Sequence, residues 1–146
     1  MPSINESDIW INKGIALNKL GHNSEAIKCF DEAIRINQED ADAWYNKGMA
    51  LGNLGKFDEA IKCFDEAIGI NQEDIDAWTN KGIVLSNLEK YDEAIKCFNE
   101  AIMINPEHAA AWKGKSITLI SLKKYGESIR CLDEAIRINP KDANTH

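Results

Sequence analysis

The sequence predicts an all-α repeat protein, eight antiparallel helices arranged as four helix-turn-helix repeats. Three observations lead there. The four tryptophans, Trp10, Trp44, Trp78 and Trp112, recur every 34 residues, and the four cysteines, Cys29, Cys63, Cys97 and Cys131, keep the same interval. The block Glu59-Ala60-Ile61-Lys62-Cys63-Phe64 stands unchanged at 25–30 and 93–98, and returns as Glu127-Ser128-Ile129-Arg130-Cys131-Leu132. A fixed period of this kind marks an array of one supersecondary element. Inside each repeat the apolar residues follow helical spacing, and no stretch shows the period-two alternation of a strand.

The repeats run 7–40, 41–74, 75–108 and 109–142, between an N-terminal segment 1–6 and a C-terminal tail 143–146. Each holds two helices. In the second repeat Trp44, Met49, Ala50, Leu51 and Leu54 form one amphipathic stretch, and Ala60, Ile61, Phe64, Ala67, Ile68 and Ile70 form the next. Gly21 and Gly55 are suited to end first helices, since glycine takes the left-handed conformation of a helix C-terminus. Asp58 and Asp92, each followed by Glu, are expected to cap the second helices and complement their dipoles. Those helices should stop near Asn37, Asn71, Asn105 and Asn139, with Pro106 and Pro140 just beyond two of the stops. A Gly in the first helix and an Ala opposite it let the pair approach closely, while Trp and Phe fill the flanks.

Composition narrows the function. With 146 residues and 44% hydrophobic content the chain can bury a single core. No apolar run is long enough to span a bilayer, and "MPSINESDIW" lacks the regions of a secretory signal, so a cytoplasmic location is expected. The net charge of −7 argues against a nucleic-acid partner, whose phosphates need a basic stripe. That charge is uneven: the repeats carry −2, −4, −3 and +3 in order.

Chemistry is sparse. One cysteine per repeat places the thiols about 10 Å apart by the spacing of packed helices, too far for a disulfide or a zinc shell. They read as reduced packing thiols. His22, His108 and His146 have no nucleophile or carboxylate pattern around them, and the paired acids are repeated helix-surface residues. The glycines form no phosphate loop. We therefore expect no enzyme, no metal and no cofactor.

These repeats resemble tetratricopeptide repeats. The pattern is carried by Trp10, Gly14, Ala26, Phe30 and Ala33; by Trp44, Gly48, Leu51, Ala60, Phe64 and Ala67; by Trp78, Gly82, Ala94, Phe98, Ala101 and Pro106; and by Trp112, Ser116, Ser128, Leu132, Ala135 and Pro140. Departures are Gln38 and Gln72 where the pattern has Pro, and Ser116 and Ser128 in the last repeat, where looser packing is expected and each hydroxyl must find a partner. The resemblance implies a right-handed α-α superhelix, a tetratricopeptide solenoid, whose inner face is lined by the first helices and commonly holds an extended peptide.

On that face Asn12, Asn46 and Asn80 stand two residues after each Trp, interrupted by Gly114. A column of amides can grip the N–H and C=O groups of an extended chain, although the same asparagines can equally be inherited surface residues facing water. Around them Tyr45, Thr79 and Lys113, with Met49, Asn53 and Asn87, vary as a recognition surface would. Ile83 and Ile117 are expected to pack between helices. One subclass of the family clamps an acidic C-terminal tail with Lys, Asn and Arg; here Ile11, Ile15, Asn46, Asp76 and Asn80 occupy those places, so that specificity is not expected. The leading expectation is a protein- or peptide-binding scaffold.

The alternative is self-assembly. Ile129, Leu132, Ile136 and Ile138 lie on or near the face of the last helix that earlier repeats bury, with no following repeat to cover it. At the other end Ile4 can fold back onto the first helix. Homo-oligomers are expected through the C-terminal repeat, by head-to-tail stacking or a two-fold contact, and the acidic early repeats complement the basic fourth repeat in favour of the first.

Overall fold

The computed structural model describes residues 5–143, with side chains through Lys141. Ile4, His146 and the tail beyond Ala143 lie outside the described residues. The helices are α1 (Glu6–Lys19), α2 (Asn23–Ile36), α3 (Ala41–Asn53), α4 (Phe57–Ile70), α5 (Ile75–Asn87), α6 (Tyr91–Ile104), α7 (Ala109–Ser121), α8 (Tyr125–Ile138) and the single turn α9 (Pro140–Ala143). No strand forms among the described residues. The chain divides into two compact units, Met1–Ala77 and Trp78–His146.

Three of the first helices start on side-chain caps, and α7 starts at His108 without one. The Asn5 side chain accepts from Ser7 N–H (3.0 Å), and Asp40 accepts from Asp42 N–H (3.1 Å). Asp74 does the same for Ala77 N–H (3.1 Å). The turn to each second helix is closed by backbone alone: Gly21 N–H reaches Asn18 O (3.0 Å) and His22 N–H reaches Leu17 O (2.9 Å), with the same pair of bonds in the other three hairpins. That tight turn leaves one residue before the second helix, so His22, Lys56, Lys90 and Lys124 occupy the cap positions without side-chain capping bonds. Asp58 and Asp92 therefore do not cap, contrary to expectation. They sit in the first turn, where a carboxylate still complements the helix dipole.

The left-handed residue of this turn is Gly21 (φ 83°) and Gly55 (φ 77°) in the first two hairpins, and Glu89 and Lys123 (both φ 62°) in the last two. Second helices end at Asn37, Asn71, Asn105 and Asn139 as expected. Three of these asparagines accept from the N–H two residues on, 3.1 Å for Glu39, 3.1 Å for Glu73 and 3.0 Å for Glu107, which sets the turn into the next repeat.

In the N-terminal unit α1 pairs with α2 and α3 with α4, and α3 packs on both α2 and α1. In the C-terminal unit α6 packs on α7, and α7 pairs with α8. Phe30, Phe64 and Phe98 are wholly buried, each against the glycine of its own first helix: a Cβ on Gly48 would stand 2.7 Å from Phe64, and one on Gly82 2.8 Å from Phe98. The fourth repeat has Leu132 in the phenylalanine position, half-buried, and Ser116 in the glycine position. The two serine hydroxyls that replace Gly and Ala are bonded, Ser116 to Lys113 O (2.6 Å) and Ser128 to Ser116 O (3.0 Å).

Beyond the last helix Pro140 opens the single turn of α9. Leu132 and Ile138 are half-buried, whereas Ile129 (58%) and Ile136 (47%) remain exposed.

Candidate functional site

The first helices present the surfaces of interest, and each unit has its own. In the C-terminal unit a pocket of about 370 Å³ opens between α5 and α7. Ile83, Ser86 and Asn87 line it from α5, and Ala110, Lys113, Gly114, Ile117 and Thr118 from α7, with the Phe98 ring behind. On α7 the spacing of 110, 113, 114, 117 and 118 is that of one helix face. Small residues make the opening. A Cβ on Gly114 would stand 2.5 Å from Phe98 Cε1, so glycine lets the ring lie against the α7 backbone.

Polar groups are tied down around that pocket. The Thr118 hydroxyl donates to Gly114 O (2.9 Å) and stands 3.2 Å from Ser86 Oγ, joining α7 to α5. Ile83 (42%) and Ile117 (52%) are exposed. This corrects the expectation that they pack between helices: in each case the helix turns the residue toward the gap between the first helices. Lys113 is exposed and is the only charged residue in the lining.

The same repeat positions in the N-terminal unit are filled differently. Asp42, Tyr45, Asn46, Met49 and Ala50 on α3 replace Ala110, Lys113, Gly114, Ile117 and Thr118 on α7. The Tyr45 ring leans on Phe64, 5.9 Å between centroids and tilted by 49°, and its phenol is pushed up to about 12, first by burial and then by the Asp76 and Asp74 carboxylates. Asn46 Nδ2 donates to Asp42 O of its own helix (2.8 Å).

The predicted amide column is thus not three equivalent, outward-facing amides. Asn12 is exposed, Asn46 has turned one donor back to its helix, and Asn80 is half-buried. Of the remaining candidates, Asn53 and Asn87 are exposed, and Asn53 Nδ2 also reaches Asn23 Oδ1 (3.4 Å). Met49 and Tyr45 are half-buried. Thr79 is buried, 4% exposed, and is removed from the set of contact residues: one position past Trp78, it faces the core rather than solvent. Reasoning from sequence missed Ile83, Ser86, Gly114, Ile117 and Thr118. The available signal was the exchange of Asn for Gly at 114 with Ala at 110, which removes side chains from one patch.

A second recurring feature is the pairing of each tryptophan with the lysine three residues on. The ammonium groups of Lys13, Lys47, Lys81 and Lys115 lie 5.5, 5.8, 5.8 and 5.9 Å from the ring centroids of Trp10, Trp44, Trp78 and Trp112. Lys47 also pairs with Asp31 (2.7 Å), joining α3 to α2.

The four cysteines are buried, and none is in a disulfide. Burial pushes the Cys63 thiol up to about 11, against the opposing pull of Lys47, and raises Cys131. Such thiols are poor nucleophiles. Among the described residues no cluster of three or more His, Cys, Asp or Glu could hold a metal, and no helix is long and apolar enough to cross a membrane.

These hairpins, closed by backbone turns and packed glycine on phenylalanine, define a helical-hairpin repeat protein with all-α solenoid architecture. Family models agree: tetratricopeptide repeat models match residues 41–74, 75–108 and 109–142, and a TPR repeat model matches 14–55. The chain belongs to the tetratricopeptide repeat family. Among solved structures it is similar to MamA, with a TM-score of 0.87 at 22% identity over 95% of this chain and 81% of that one. It is also similar to PilF of Pseudomonas aeruginosa (TM-score 0.86, 19% identity, 92% of this chain and 62% of that one). The first TPR domain of Spaghetti (RPAP3), solved bound to an HSP90 peptide, gives 0.78 at 22% identity over 81% of this chain and 94% of that one. At these identities the likeness is one of fold. No curated protein sequence gives a match.

Proposed function

We propose that this chain is a non-enzymatic scaffold that holds an extended peptide or a partner segment along the faces of its first helices. The observation that carries the reading is the pocket between α5 and α7, with exposed Ile83 and Ile117 on its rim. Two exposed isoleucines on the rim of one concave opening join into a single apolar wall that suits an apolar anchor. A similar fold holds a peptide in the Spaghetti domain, and the buried, poorly nucleophilic thiols fit a reducing, cytoplasmic setting. Asn12, Asn46, Met49, Asn53, Asn80, Asn87 and Lys113 are the proposed contacts, joined by Ile83 and Ile117.

Selection from a random-peptide library, followed by isothermal titration of the retained sequences, tests this. Binding should weaken in Ile83→Ser or Met49→Ser; a library that yields no ligand, or ligands indifferent to every first-helix substitution, defeats it.

Self-association is a second reading, favoured by the exposed Ile129 and Ile136 on α8. Sedimentation should show association that Ile129→Lys abolishes, and a strictly monomeric species at hundreds of micromolar rejects it.

A further inference from the structure

We infer that the α5/α7 pocket selects an internal peptide segment in which one large aliphatic or aromatic residue lies next to a side-chain carboxylate. This rests on the scaffold reading above and names the chemistry of its ligand.

The apolar half of the specificity comes from shape. Ala110 and Gly114 leave the opening empty where longer residues stand in the N-terminal unit, and Ile83 and Ile117 wall it. A volume of about 370 Å³ is at the low end for a small-ligand site, which suits a single side chain better than a whole molecule. Thr118 is already bonded to Gly114 O, and Asn87 and Lys113 are exposed, so the floor against Phe98 is apolar and the polar groups stand toward solvent.

The acidic half comes from charge. Lys113 is exposed at the rim, and α7 carries no acidic residue along its length, so nothing on that helix neutralises it. The four-carbon stem of lysine gives its ammonium reach over the pocket mouth. The equivalent patch in the N-terminal unit has Asp42 and Tyr45 in place of Ala110 and Lys113, and would repel the same ligand. The discrimination is therefore built into one unit.

The probes are acetylated and amidated ten-residue peptides, free of terminal charges, with a central Leu or Phe in a Gly-Ser background and Asp, Lys or Ser beside it. Binding is read by isothermal titration and located by amide shifts in the labelled full chain. The Asp-flanked peptides should bind most tightly, with shifts centred on residues 83–87 and 110–118. Ile117→Ser should weaken them about tenfold, as loss of apolar contacts in a pocket does. Lys113→Glu should weaken them at least about fivefold, the effect of a favourable surface pair at its upper range, and should favour the Lys-flanked series instead. Both substituted residues are exposed, and circular dichroism checks that the fold is kept. Peptides that bind without preference for Asp, or whose shifts centre on Tyr45 and Met49, overturn this inference and leave the scaffold reading standing. If no peptide of any series binds, and library selection also fails, both fall.

Discussion

The face built by α1 and α3 and the face built by α5 and α7 use the same repeat positions and carry opposite chemistry. On α3 they hold Asp42, Tyr45, Asn46 and Met49, and on α7 Ala110, Lys113, Gly114 and Ile117, so an acid and an aromatic ring on one helix become a methyl group and a base on the other. Three of the four repeat interiors match, and the fourth has Ser116, Ser128 and Leu132 in place of Gly, Ala and Phe. Ala26, Ala60 and Ala94 are all fully buried, as are the phenylalanines behind them. The first three repeats thus hold their packing positions fixed and change the outward ones, and the short side chains at 110 and 114 leave open the pocket between α5 and α7. The two units also differ at their hairpin turns, where the N-terminal unit spends glycine and the C-terminal unit accepts Glu89 and Lys123 in the left-handed conformation.

Exchanging the residues at the matched positions should produce the largest effect. Gly114→Asn installs the residue of the N-terminal unit, but its Cβ would meet the Phe98 ring at 2.5 Å, and overpacking of this kind costs about 1–3 kcal/mol. The reverse exchange, Asn46→Gly, should cost less than about 0.5 kcal/mol, because asparagine is itself a poor helix former and glycine only slightly worse. Denaturant unfolding of both variants decides it; equal losses would mean that the two faces are interchangeable after all.

The turns should respond more weakly and with opposite signs. Relief of a left-handed non-glycine residue in Glu89→Gly or Lys123→Gly should stabilise by roughly 1 kcal/mol, and Gly21→Ala or Gly55→Ala should destabilise by a similar amount. Thermal midpoints of the four single variants provide the check.

The smallest expected effect lies in alkaline solution. Because the folded state holds Tyr45 protonated up to about 12 against an ordinary value of 10.0, the unfolded chain releases its proton first. Stability from this group is full below pH 10 and is lost as pH rises through 12. Tyr45→Phe should flatten the decline across that window, read as thermal midpoints at stepped alkaline pH.

Much of this architecture was legible because a repeat reports its own structure four times over. Trp, Gly, Ala and Phe at fixed intervals gave helix pairs, and the asparagines marked the helix ends. Helix starts were harder to place. Asp58 looks like a cap in isolation, and only the backbone bonds of the preceding turn show that Lys56 already holds that position. At the face, residue type was readable and direction was not. Ile83 and Thr79 lie four residues apart, both apolar-compatible, yet one is exposed and the other buried. Asn46 shows a further limit, since its amide could bond a ligand or its own helix and the sequence does not choose.

The buried cysteines make each repeat its own stopwatch. With Cys63 held at about 11 and all four thiols shielded, an alkylating reagent at neutral pH can react only when a repeat opens. Because neighbouring repeats support one another, opening should spread inward from frayed ends rather than occur everywhere at once. Mass-resolved labelling of Cys29, Cys63, Cys97 and Cys131 would then read local lifetimes along the chain with no probe added and no residue changed.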